Sequence, residues 1–113
     1  MAEEMQVGRE QRDDAVILSP EGDVDLSASP SLRLRLREAL EQRPARLVVN
    51  LGGVDYMDSS GVATLVEGLQ IARRASTTLV LANLRDRVRS VFEIARLDTV
   101  FTIVGTVDEA MEC

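Results

Sequence analysis

The residues of this chain that could do chemistry are concentrated in Val54-Asp55-Tyr56-Met57-Asp58-Ser59-Ser60-Gly61. This stretch sets carboxylates beside two hydroxyls at the expected entry to a helix, just after an apolar strand. The first amide N–H groups of a helix have no intrahelical partner and point at such side chains. The residues alone leave two readings open. In one, Asp58 or Ser59 is an N-cap and the rest is loop. In the other, Ser59 is a regulated phosphoacceptor. A phosphate there would meet the positive end of the helix dipole and several amide donors. It would add about −1.5 to −2 charges beside Asp58. A partner docked closely on the unmodified loop would then meet charge repulsion and an uncompensated desolvation cost.

Other chemistry is poorly supplied. The chain has 113 residues and no histidine, which removes His-based general-base catalysis, the Ser-His-Asp arrangement and most zinc sites. Gly52-Gly53 lacks the lysine and the spacing of a phosphate-binding loop. Met57 stands where a Gly-x-Ser-x-Gly elbow would need its first glycine. Asp55 and Asp58 are a carboxylate pair with no evident third group. Asp23 and Asp25 alternate without an EF-hand continuation, so they read as solvated turn residues before metal ligands. No metal and no cofactor is expected.

Cys113 is the only cysteine, so no internal disulfide is possible and a reducing compartment is the natural setting. No apolar run approaches the roughly 18 residues that span a bilayer, and Met1 to Glu10 is too polar for a signal peptide. A cytoplasmic protein with no membrane insertion is expected. The net charge is −6, and residues 1–25 carry all of that excess, with eight acids and two arginines. Such a chain is a poor candidate for direct nucleic-acid binding, which needs a basic surface. Every cation is an arginine. That fits a codon bias, or else a surface for bidentate recognition of acids or phosphates.

The elements that must position the loop follow from periodicity. Residues 6–10 suggest a weak edge strand, and Ala15 to Leu18 a strand ending at Pro20 and Gly22. Ser29-Pro30 looks like a helix start with Ser29 as N-cap. Leu32-Arg33-Leu34-Arg35-Leu36-Arg37 alternates like a strand. Helix propensity and the preceding cap favour a helix, with Leu32, Leu36 and Leu40 on one face and Leu34 exposed. Leu47 to Leu51 reads as a central strand covered on both faces. A loop follows to about Asp58. Val62, Leu65, Val66 and Leu69 form a helical stripe, with Thr64, Glu67, Gly68 and Ile71 expected to face outward. A strand over 77–81, a helix over 85–95, a strand over 99–104 and a short helix over 108–111 complete the chain. The alternation predicts an α/β fold, a mixed and mostly parallel sheet of about five strands with about four helices. Residues 1–13 are read as an acidic N-terminal segment and possible edge strand of the same domain as 14–113. Sites in such folds lie at strand carboxyl ends, here the loops 22–29 and 52–60.

Asp58-Ser59-Ser60-Gly61, preceded by Tyr56-Met57 and followed by Val62, resembles the signature of STAS domains of the anti-sigma factor antagonist type. Gly22-Asp23-Val24-Asp25 resembles the family's turn before the first helix. Val48-Val49-Asn50-Leu51 resembles its central strand, and Ser90 to Leu97 its third helix and following turn. The likeness covers about residues 14–112. It implies a single STAS-type domain that is not an enzyme. The unphosphorylated form would bind an anti-sigma factor that is also a serine/threonine kinase, and a sigma factor would be released. The kinase would phosphorylate Ser59 and abolish binding; a PP2C-type phosphatase would restore it. Asp23, Asp25, Asp58, Ser60, Gly61 and Thr64 would contact the partner, with Gly61 letting it approach the helix start. The free protein would be a monomer. STAS domains also serve as cytoplasmic accessory subunits of lipid-transport ABC complexes, which is the alternative. A third reading, that the domain itself binds or hydrolyses a nucleotide, lacks a phosphate-binding loop, a lysine and a histidine.

Overall fold

Four short apolar segments and one polar edge segment pair into one sheet in the computed structural model, which describes residues 5–113. The acidic residues Glu3 and Glu4 lie outside the described residues. In chain order the elements are β1 (Gln6–Arg12), β2 (Ala15–Glu21), α1 (Ser29–Glu41), β3 (Arg46–Asn50), α2 (Ser59–Arg74) and β4 (Thr78–Ala82). They continue with α3 (Asp86–Ile94), a 3₁₀ turn (Leu97–Thr99), β5 (Thr102–Val104) and α4 (Val107–Ala110). The strands lie in the order β1-β2-β3-β4-β5. β1 runs antiparallel to β2, and the other neighbours are parallel. The α/β class and the mixed, mostly parallel sheet expected from the alternation are therefore observed.

The edge strand is longer than the sequence suggested. It pairs residue for residue with β2 from Gln6↔Glu21 to Arg12↔Ala15. Met5 and Val7 reach the core and anchor it. The last strand is shorter, because Leu97 to Thr99 wind into a 3₁₀ turn before Phe101 enters the interior. There Phe101 packs edge-to-face on Phe92, with centroids 5.5 Å apart.

Pleat alternation sends β3 side chains to two opposite cores. Leu47 and Val49 join the larger one, with Leu32, Leu36 and Leu40 of α1 and Leu65 and Leu69 of α2. Val48 joins Ile17, Val80, Ala82 and Ala110 on the reverse face, under α4. This two-sided cover explains the continuous apolar run of that strand. The Leu-Arg alternation of α1 is helical, with Leu34 left 53% exposed.

Ser29 is not the N-cap of α1. That position belongs to Ala28, and Ser29 is the first helical residue, buried at 6% exposure. Thr64 and Gly68 do not face outward either. Both are buried in the seam with α1, where a Cβ at Gly68 would stand 3.4 Å from Leu36 Cδ1. Volume at the crossing explains this: α1 supplies Leu32 and Leu36 there, so α2 must supply small residues.

Candidate functional site

The two loops expected to form a site meet at the carboxyl ends of β2 and β3. Gly22 N–H donates to the Gly53 carbonyl (3.0 Å), Val24 N–H to the Tyr56 carbonyl (2.9 Å), and Asp58 N–H to the Val24 carbonyl (3.1 Å). Val24 and Met57 thus form a one-residue parallel bridge. Both are fully buried apolar side chains, so the bridge is pinned from below by the core. Arg85, just before α3, clamps the far side of the second loop. Its Nε donates to the Gly52 carbonyl (2.8 Å) and its Nη1 lies 2.9 Å from Asp55.

Asp58 is the N-cap of α2, in extended conformation. Its Oδ1 accepts from the Ser60 N–H (2.9 Å), the Gly61 N–H (3.3 Å) and the Ser60 hydroxyl (2.5 Å). Its carbonyl accepts from the Val62 N–H (3.1 Å). The Ser60 hydroxyl first, and the Gly61 and Ser60 amides after it, hold the Asp58 carboxyl below its ordinary value. The expectation that several free amides would greet a phosphate on Ser59 is not met: Asp58 already occupies these donors.

Ser60 is tied down and Ser59 is not. Besides Asp58, the Ser60 hydroxyl lies 2.7 Å from that of Ser29, whose own Oγ is 2.7 Å from the Asp25 carbonyl. Three oxygen–oxygen contacts therefore share two hydroxyl protons. The Ser60 carbonyl accepts from the Thr64 hydroxyl (2.8 Å). Ser59 is exposed, and its hydroxyl makes no hydrogen bond to a described residue.

Asp25 caps its own loop. Its Oδ1 accepts from the Ser27 hydroxyl (2.7 Å), the Ala28 N–H (3.0 Å) and the Ser27 N–H (3.1 Å). The Ser27 hydroxyl above all keeps this carboxyl below its ordinary value, while the nearby Asp58 charge opposes that effect. Asp23 is exposed. Gly61 is buried inside the domain, and Thr64, also buried, lines the groove between α1 and α2. A Cβ at Gly61 would stand 2.6 Å from Met57 Cγ and 2.8 Å from Val24 Cγ1. Gly61 therefore lets the Val24–Met57 bridge approach the helix start.

Two features were invisible in the sequence. The first is Ser29, brought to Ser60 across 31 residues of chain. The second is Glu67, which ties α2 to α1 through Arg33 (2.8 Å) and Arg37. Arg37 chiefly, then Arg33, holds the Glu67 carboxyl below its ordinary value. Pro30, Arg33, Ala63 and Glu67 line a shallow groove of about 270 Å³ beside Ser60, with Leu26 at its lip. Leu26 is 77% exposed and Tyr56 is 47% exposed, so apolar surface flanks the hydroxyl pair. Among the described residues no cluster of carboxylate or thiol ligands could hold a metal ion. No described helix is long and apolar enough to cross a membrane.

The STAS domain family model matches residues 6–110. The chain is 33% identical over 82 residues to the anti-sigma-B factor antagonist of Bacillus subtilis (strain 168), covering 73% of this chain and 74% of that protein. The fold superposes on an anti-sigma factor antagonist from Mycobacterium paratuberculosis with a TM-score of 0.88, at 20% identity, over 96% of this chain and 92% of the other. It also superposes on the anti-sigma factor antagonist SpoIIAA in its unphosphorylated form, with a TM-score of 0.71, 21% identity, and 96% and 94% of the two chains covered.

Proposed function

Because this chain belongs to the STAS domain family, among its anti-sigma factor antagonists, we propose that it is a cytoplasmic binding module whose partner is an anti-sigma factor. In this reading the unmodified protein docks on an anti-sigma factor with serine/threonine kinase activity and so frees a sigma factor. Phosphorylation of Ser59 ends the contact, and a PP2C-type phosphatase reverses it. ATP is consumed by the partner.

One observation carries the choice of residue. Of the two adjacent hydroxyls, that of Ser59 is exposed and without a hydrogen bond to a described residue, whereas that of Ser60 is engaged by Asp58 and Ser29. A kinase must withdraw a hydroxyl from its surroundings, and Ser59 costs the domain nothing. The phosphoryl group would not sink into the helix start, since Asp58 holds the first amides. It would project outward beside Asp58 and Asp25. A partner seated on Leu26, Tyr56 and the groove between α1 and α2 would face a dianion in place of a hydroxyl. Exposed apolar side chains around a small polar centre suit a reversible protein interface.

The test is incubation with the cognate kinase and ATP, followed by intact mass. One added phosphate is expected, and none in Ser59→Ala. Ser59→Asp is expected to weaken binding to the partner by at least about tenfold, with an unchanged circular dichroism spectrum. Phosphate persisting in Ser59→Ala would refute the site. No modification together with retained docking on a membrane-complex partner would move the domain to the lipid-transport setting.

A further inference from the structure

The far end of the α1–α2 pair carries a second feature, independent of the loop at Ser59. A cleft of about 380 Å³ opens between the C-terminal turns of the two helices. Leu40, Ile71 and Ala75 form an aliphatic floor, and Arg37, Arg43 and Arg74 stand around it, with Glu41 as the single carboxylate. That volume lies in the range of small-molecule sites, and the lining of this open cleft combines apolar and charged side chains.

The placement of the arginines is not accounted for by helix ends alone. Cations in a last turn answer the negative end of the dipole, which explains Arg73 and Arg74 on α2. The last turn of α1 holds no basic residue. Arg37 stands before that turn and Arg43 beyond it. Arg43 has φ of 49°, a left-handed position where glycine or asparagine is usual. Arg37 is paired with Glu67, but Arg43 and Arg74 form no ion pair with a described residue. Two uncommitted guanidinium groups thus border an aliphatic floor. No aromatic ring lines the cleft, so it offers no platform on which a nucleobase could stack.

We propose that this cleft binds a small aliphatic carboxylate, its hydrocarbon body on Leu40, Ile71 and Ala75 and its anionic head held by Arg43 and Arg74. Guanidinium groups match a carboxylate in a planar, bidentate manner. The Glu41 carboxylate opposes the bound charge and limits affinity.

The experiment is an NMR titration of the full ¹⁵N-labelled chain with hexanoate, with acetate and 1-hexanol as controls. Saturable shifts are expected at the amides of Leu40, Ile71 and Ala75, half-complete at millimolar hexanoate. Acetate lacks the body and 1-hexanol lacks the charge, so each binds at least about tenfold more weakly. The double variant Arg43→Gln/Arg74→Gln weakens hexanoate by about tenfold, and Glu41→Gln strengthens it by about twofold. Absence of saturable shifts at the cleft would overturn the proposal. So would equal binding of 1-hexanol, or a double variant that binds hexanoate as well as the parent while keeping its spectrum elsewhere.

Discussion

The hydroxyl oxygens of Ser29 and Ser60 lie 2.7 Å apart, joining the first residue of α1 to the first turn of α2. Through this contact the Asp25 carbonyl, the two serines and the Asp58 carboxylate form one polar chain at the mouth of both helices. Each loop is also bonded to the other through Val24. The face that carries Ser59 is therefore one rigid unit built from two distant segments.

Ser29→Ala tests that unit. Ser29 is buried at 6% exposure, and loss of its hydroxyl removes the contact with Ser60 and one donor to the Asp25 carbonyl, which keeps the Ala28 and residue-29 amides. A cost of about 1–2 kcal/mol is expected, measured by urea denaturation. Wild-type stability in this variant would show that the contact contributes nothing.

Gly61→Ala and Gly68→Ala should move stability in opposite directions. At Gly61 the added Cβ meets Met57 Cγ at 2.6 Å and the Val24 carbonyl oxygen at 2.9 Å, and Val24 is held by two backbone hydrogen bonds. The overpacked start of α2 should lose about 1–3 kcal/mol. At Gly68 the nearest atom is Leu36 Cδ1 at 3.4 Å, an ordinary contact. There alanine should add about 0.5–1 kcal/mol by restricting the unfolded chain. Thermal midpoints of the two variants, compared with the parent, check both signs.

Acid should unfold the site before neutral or alkaline pH does. Asp25 and Asp58 lie below their ordinary value of 3.8, and Glu67 below 4.5. A carboxyl depressed in the folded state contributes stability above its unfolded value and loses it as pH falls through the folded one. Stability from these groups should be constant above about pH 5 and decline from about pH 4.5 downward. Urea midpoints across that range should show the decline, and Asp58→Asn should flatten it. A profile level to about pH 3 would contradict the assignment.

Arg43→Gly should stabilise the fold. Arg43 ends α1 in the left-handed region at φ 49°, with its N–H on the Leu40 carbonyl (3.0 Å). Glycine takes that conformation without the Cβ penalty, so a gain of about 1 kcal/mol is expected. A thermal midpoint at or below that of the parent would show that the arginine side chain offsets its strain.

Much of this protein was legible in the sequence because it is local. Val48, Val80 and their neighbours announce buried strands by composition, and the leucines of α1 and α2 show their faces by spacing. Asp58 before Ser59-Ser60 marks a helix start by the chemistry of unpaired amides. These are short-range preferences, settled within a few residues. The tertiary structure decided what distant segments do to one another. It turned Ser29 from a presumed cap into the partner of Ser60, and Gly61 from an open approach into a close contact with Val24. It also turned Thr64 and Gly68 inward against α1. None of these follows from periodicity, because each depends on which helix packs beside which and how much volume remains at the crossing. Ser59 was left as the free hydroxyl of the pair for the same reason: packing consumed its neighbour.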